Sequence, residues 1–347
     1  MFIGRKPPIA PSDDRLGVLM TTLPVAIATP DVSVYVSRIA AVADEWSALP
    51  WPIAEWDTTL HFFDGTERTV NWLALLDALN FCFWGDPGQS RWTVSWHDRL
   101  LNGYAALSAA LSRAVQEGHP LWDADYLATL DAETLDVILR GVPAALGGPG
   151  AFGRIIPIPL FAERLAHVHE LGRVLKNRFD GQFIHAIDEA KGDAVDLTLL
   201  IVETLPSFND SADWEGHPVR LFKRAQILVS DIATAFGGRG YGAIDHLDAL
   251  TAFADYKVPQ QLRRLGMLEY APDLALRIDR YEELPAGAPA EIAIRAATVW
   301  VVELLRCALA RRGVAVTAPA IDYRLWDVGQ QQHTDDRPYH RTRTIYY

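Results

Sequence analysis

The chain has 347 residues, half of them apolar, enough for a sizeable core in one large domain or two smaller ones. Its net charge is -12 and neither half is conspicuously basic. That argues against long DNA or RNA as ligand, because phosphate contacts supply most of such affinity.

Two cysteines, Cys82 and Cys307, both in apolar stretches, suit a reducing compartment. No apolar run reaches the roughly 18 residues a membrane helix needs. Leu16 to Ala28 imitates a signal peptide and ends Ala26-Ile27-Ala28. Asp13 and Asp14 precede it and Pro24 interrupts it, however, so a cytoplasmic location is expected.

Residues 1–30 are proline-rich and read as extended. Val32 to Trp46 has helical spacing, and the tryptophan- and proline-rich stretch Leu49 to Phe63 reads as a tightly packed loop ending near His61. Val70 to Phe83 reads as a helix capped by Asn71 or Thr69. Arg91 to His97 alternates Trp92, Val94, Trp96, predicting a strand in a hairpin with Leu100 to Tyr104. Helices follow at Ala105–Glu117 and Asp131–Arg140. Gly141 to Gly153 is a glycine- and proline-rich spacer, which divides the chain into 1–150 and 151–347. Further helices are expected at Pro159–Arg178, Phe183–Lys191, Ala194–Thr204, Pro272–Tyr281 and Glu291–Arg312. The fold class is mainly α with a minor β hairpin.

Residues 219–260 read as the organising stretch. Val219 to Phe236 is apolar on nearly every face, a buried helix, which leaves Lys223, Arg224 and Asp231 as charges in an apolar setting. Gly237, Gly238, Gly240 and Gly242 end it. A short helix capped by Asp245 is expected through Leu247, Leu250 and Phe253, then a third from Pro259 to Met267. Asp255 falls at the joint, near a positive helix end, where a carboxylate is ionised and aimed at something.

Other candidates have blander readings. His167, His169 and Glu170 lack metal-site spacing and suit a solvated helix face. The glycines at 237–242 resemble a phosphate loop only in composition. No Gly-x-Ser-x-Gly elbow exists, and Cys82 reads as core. His61 stays open between a packed histidine and a ligand contact. Lys223, Asp255, Asp322 and Asp327 form a set embedded among Phe253, Tyr256, Tyr323 and Trp326. Acids beside aromatic faces suit a pocket for a flat, hydrogen-bonding ligand, but spacing alone does not separate that from surface caps.

The strings Phe222-Lys223-Arg224-Ala225-Gln226-Ile227-Leu228-Val229 and Phe253-Ala254-Asp255-Tyr256, with Val258-Pro259-Gln260, resemble the signature of the queuosine salvage family, the queuosine 5'-phosphate N-glycosylases/hydrolases. Val70-Asn71-Trp72, Leu79-Asn80-Phe81, Asp322-Tyr323, Leu325-Trp326-Asp327 and Ile345-Tyr346-Tyr347 extend the resemblance over nearly the whole chain. It implies a helical fold like that of the helix-hairpin-helix DNA glycosylases, and no metal or organic cofactor. It also implies hydrolysis of queuosine 5'-monophosphate to free queuine for tRNA. By motif, Asp255 is the catalytic carboxylate and Lys223 its basic neighbour, keeping the acid ionised and lowering its pKa. His61, Phe253, Ala254, Asp322, Tyr323, Trp326 and Asp327 then belong to the substrate pocket. Arg224, Lys257, Arg341 and Arg343 are the cations open to a 5'-phosphate. The expected partner is a small nucleotide, with no stable nucleic-acid complex and no membrane. A nucleobase-excision enzyme on polynucleotide, or a non-enzymatic helical scaffold, are the rival readings.

Overall fold

The computed structural model describes residues 13–51, 55–143, 153, 155–331 and 336–347. Among them the chain is mainly helical. The elements run α1 (Val18–Ala28), β1 (Val32–Val34), α2 (Val36–Ser47), α3 (Glu67–Ala78), β2 (Thr93–Trp96), β3 (Arg99–Asn102) and α4 (Gly103–Gln116). Next come α5 (Ala124–Thr129), α6 (Ala132–Ile138), α7 (Phe161–Arg178), α8 (Ile184–Glu189), α9 (Ala194–Thr204), β4 (Ser211–Trp214) and β5 (His217–Arg220). The chain closes with α10 (Lys223–Ala235), α11 (Lys257–Arg264), β6 (Leu268–Tyr270), α12 (Pro272–Asp279), α13 (Pro289–Ala310) and α14 (Ala318–Val328).

The strands serve as clasps. β1 pairs antiparallel with β6, Val32 opposite Tyr270, tying the early chain to its last third. The hairpin expected near residue 95 is β2–β3. Helix α13 is buried along most of its length, and α1 and α2 pack on it; α10 packs against α3 and α9. One continuous apolar cluster runs from Leu16 to Leu325. No helix among the described residues is long and apolar enough to cross a membrane.

Several expectations are corrected. Residues 18–28, read as extended, form a helix despite Pro24. Proline removes one donor there, and Val18, Leu19, Val25 and Ala26 bury their side chains, which outweighs that loss. The helix expected from Val219 starts only at Lys223, because Val219 lies in a β4–β5 hairpin. Its two-residue turn, Glu215-Gly216, has φ of 53° and 85°, the left-handed pair that a tight hairpin needs. Val32–Val34 is strand, so the helix expected from Val32 begins only at Val36. Helix α3 covers 67–78, capped by Thr66, while Asn71 is buried and bonds the carbonyls of Trp122 and Gly181.

Asp245 caps nothing; its backbone pairs with Gly192 and Ala194, and the expected second helix is one 3-10 turn at Leu247–Ala249. Helix α11 starts two residues ahead of Pro259. Ile321–Asp327, to which no element was assigned, lies in α14, capped by Thr317. Of the spacer at 141–153, residues 144–152, and with them the boundary at 150, lie outside the described residues.

Helices α5 and α7 touch through Gly172, where an added Cβ would lie 2.3 Å from the Ala128 nitrogen. Backbone cannot yield as a flexible side chain can. Gly172→Ala should destabilise the fold by about 1–3 kcal/mol in urea titration, and an unchanged midpoint would show that the two helices are not pressed together.

Candidate active site

The charges on α10 find partners in the backbone of α3. The last carbonyls of any helix lack internal donors. Here Arg224 donates to Asp77 O at 3.0 Å, to Ala78 O at 2.6 Å and to Ser207 O. Arg164 on α7 takes the next turn of chain, donating to Leu79 O, Phe81 O and, at 3.1 Å, Cys82 O. Burial pushes the two guanidinium groups down to about 10 and about 9, yet both stay charged at neutral pH. Planar forks suit such multiple carbonyl contacts as a lysine could not.

With those arginines turned into the core, the other face of α10 lines a cavity of about 1070 Å³. Lys223, Ile227, Ser230, Asp231 and Thr234 line it at spacings of four, seven, eight and eleven, one helical face. Asp255 enters from the loop before α11. Its Oδ1 accepts the N–H groups of Lys257 at 2.7 Å and Val258 at 2.8 Å, so the carboxylate is pinned to a helix N-terminus. Its Oδ2 makes no hydrogen bond among the described residues and is the oxygen left for a ligand or water.

A buried ion pair sets the distance between these two elements. Arg295 on α13 binds Asp210 through both nitrogens, at 2.9 and 2.5 Å. The same guanidinium donates to Ala254 O at 3.0 Å, just before Asp255. Asp210 in turn accepts Lys223 N at 3.2 Å. One pair thus holds the backbone of both candidate catalytic residues.

The rest of the wall is acidic and aromatic. His61 donates from Nδ1 to Asp57 O at 2.8 Å, which leaves Nε2 to accept Tyr104 Oη at 3.0 Å. Burial lowers the His61 pKa, so the ring is neutral. Tyr104 Oη lies 3.5 Å from Asp231 Oδ2. Asp322 Oδ2 accepts Phe253 N at 3.0 Å. Trp326 meets Tyr104 edge-on and lies nearly parallel to Tyr323.

Too many carboxyls share too little water. Burial, with the charge of Asp255 behind it, pushes Asp322 up to about 8; burial carries Asp77 to about 7 and Asp231 well above the carboxylate range. Lys223 pulls the Asp255 pKa down as expected, yet the net shift is upward. Burial raises it, and Lys223 with the two N–H groups opposes only part of that rise. The ammonium of Lys223 is itself lowered by burial, against the pull of Asp255 and then Asp77.

Of the residues assigned from sequence, Lys223, Asp255, His61, Phe253, Asp322, Tyr323 and Trp326 line the cavity together. Three do not. Arg224 is fully buried on the α3 carbonyls and Ala254 is buried with its carbonyl on Arg295. Asp327 is exposed, five residues past Asp322 and so on another face of α14. Sequence reasoning missed Tyr104 and left Asp231 without a role; only the polar position of Asp231 within an apolar helix hinted at it. His167, read as solvated, is buried and bonds Ala78 O, while His169 bonds Leu130 O. Cys82 is core, its thiol pushed up to about 11 by burial.

Raised carboxyls carry a stability signature. The contribution of the Asp322 proton is complete below the ordinary carboxylate range near 4 and is lost as pH rises toward 8. Asp322→Asn keeps an acceptor for Phe253 N–H and removes the titration. The variant should gain melting temperature over wild type between pH 4 and pH 8, by several degrees; parallel melting curves would overturn the assignment.

The comparisons with known proteins agree on one family. The family model described as queuosine salvage protein matches residues 60–347. A Sphaerobacter thermophilus protein named queuosine 5'-phosphate N-glycosylase/hydrolase is 45% identical over 339 residues, 98% of this chain and 100% of the relative. Proteins of the same name from Mus musculus and Schizosaccharomyces pombe are 35% and 30% identical. They cover 87% and 93% of this chain, and 89% and 97% of their own. With a relative this similar from end to end, and a model matching most of its length, the chain belongs to the queuosine salvage protein family.

Proposed function

We propose that the protein hydrolyses the N-glycosidic bond of queuosine 5'-monophosphate, releasing queuine and ribose 5-phosphate for queuosine salvage. The reaction named for its relatives supports this. So does one geometric observation: a carboxylate, Asp255, pinned at the start of α11 beside Lys223 with one oxygen free toward a large cavity.

Cleaving a sugar–base bond builds positive charge on the ribose. A fixed carboxylate beside the anomeric carbon stabilises that charge and orients the attacking water. Pinning Oδ1 on two backbone donors means that Asp255 need not reorganise as the charge appears. Queuine is a 7-deazaguanine and lacks the ring nitrogen that a purine offers for protonation. Asp322, neutral up to about pH 8, can instead donate a hydrogen bond to the departing base, and its carbonyl oxygen can accept an N–H from the guanine-like edge. Phe253, Tyr323 and Trp326 supply aromatic surface for the flat ring system.

The scaffold proposed is of the helix-hairpin-helix DNA-glycosylase kind, which a mainly helical chain with its acid at a helix junction suits. Residues 1–150 contribute pocket wall such as His61, and 151–347 carry Asp255 and Lys223. The reaction is placed in the cytoplasm on a free nucleotide. A net charge of -12 favours that over a stable polynucleotide complex.

Incubation with queuosine 5'-monophosphate, followed by mass spectrometry, should reveal queuine and ribose 5-phosphate; their absence would sink the reading. Asp255→Asn should fold normally and lose on the order of a hundred- to thousand-fold in kcat. Because burial raises the Asp255 pKa, the acid limb of kcat/KM should fall above the usual carboxylate range, and a limb at or below 4 would contradict its role.

A further inference from the structure

Two acids face one buried guanidinium. Arg295 binds Asp210 through both nitrogens, yet Glu291, one turn back on α13, lies only 3.6 Å from its Nη1. All three side chains are almost wholly buried. Where water is excluded, a second carboxyl competes hard for the same N–H groups, because charged pairs attract most in a low dielectric. Asp210 keeps the fork only while Glu291 is held off it.

Tyr347 supplies that restraint. Its Oη donates to Glu291 Oε1 at 2.8 Å, and Gly287 N donates to Oε2 at 3.1 Å. Each oxygen of Glu291 therefore has a donor other than Arg295. The phenol is itself aimed. His340 is wholly buried, with Nε2 3.2 Å from Tyr347 Oη. Burial, with the charge of Arg295 behind it, pushes that ring down to about 3, so it is neutral and carries one N–H. With this proton on Nε2, His340 donates to the phenol oxygen and leaves the phenol proton for Glu291. The Tyr347 carbonyl accepts Cys82 N at 2.9 Å, and the Arg295 guanidinium lies 4.3 Å from the centre of the Tyr347 ring.

The consequence reaches the site through Asp210. Its Oδ2 accepts Lys223 N, and Arg295 Nε donates to Ala254 O beside Asp255. If Glu291 turned onto Nη1, Asp210 would lose one of its two bonds and the backbone under both residues would shift. A misplacement of about 1 Å at a reacting group can cost on the order of a hundredfold in rate.

We propose that Tyr347 is a positioning residue: its hydroxyl restrains Glu291, so that Arg295 keeps both bonds to Asp210 and Asp255 stays in register with Lys223. It acts through Arg295, although its ring also lines the cavity. The effect on rate rests on the hydrolase reading above; the effect on Glu291 does not.

Tyr347→Phe keeps the ring against Arg295 and the cavity and removes only the hydroxyl. Release of queuine from queuosine 5'-monophosphate should fall about tenfold or more in kcat, with KM within about twofold of wild type. The double variant Tyr347→Phe/Glu291→Gln also removes the competing charge and should recover to within about threefold of wild type. A hydroxyl that served packing alone would give losses that add; that result, or a wild-type kcat in Tyr347→Phe, overturns the proposal. A crystal structure of Tyr347→Phe is the second measurement. Glu291 should move within hydrogen-bond distance of Arg295 Nη1, with one bond between Arg295 and Asp210 lost. An unmoved Glu291 overturns the proposal whether or not the protein cleaves the nucleotide. A moved Glu291, in a protein whose wild type frees no queuine, upholds the restraint and refutes the hydrolase reading alone.

Discussion

The paired hydrogen bonds between Arg295 and Asp210 are the constraint on which the site depends. Both side chains are almost wholly buried, so the pair is costly to desolvate and is a weak source of net stability. Its consequence is positional. From one guanidinium, the chain fixes Ala254 O on one side and, through Asp210, the first turn of α10 on the other. Phe222 takes a left-handed backbone at that same joint, φ 51°, a strained geometry that Asp210 O helps to hold by accepting its N–H. Losing either partner would strand a buried charge, typically at about 3–5 kcal/mol, and would free Lys223 and Asp255 to drift apart.

A second layer of buried charge works in the same manner. Arg224 and Arg164 satisfy the carbonyls at the end of α3 and in the turn after it, with His167 adding a bond to Ala78 O. Residues 79–84 can therefore run irregularly through the core and bring Asn80, Phe83 and Trp84 to the cavity wall. Irregular backbone goes inside only where its polar groups are answered. Phe81 packs under both guanidiniums, which keeps them dry.

The electrostatics of the cavity follow from that dryness. Asp77, Asp231, Asp255 and Asp322 cannot all ionise against a single central ammonium in so little water, so burial raises each of them. Protons are thereby stored in the wall near neutral pH, where a departing base needs hydrogen-bond donors. Asp255 keeps the strongest claim to charge, because two backbone N–H groups and Lys223 favour its ionised form.

Local chemistry was legible from the chain alone. The helix at Ala194–Thr204, Asp131 before α6 and the Trp92-Val94-Trp96 alternation were each readable, because periodicity, caps and pleats are written within a few residues. The acid at the α11 junction was readable for the same reason, as was family membership. The orientation of each charge was not. Asp327 looked equivalent to Asp322 and Arg224 to Lys223, yet only one of each pair meets the cavity. Which face of a helix is wet depends on what packs against it from far along the chain, here α3, α7 and α13. Residues 18–28 became helical through the same distant packing, which outweighed a proline. Sequence by itself determined most of the helices, the Asp131 cap and the acid at the joint; tertiary packing alone decided which side chains share the cavity, because burial is a property of neighbours that local spacing does not encode.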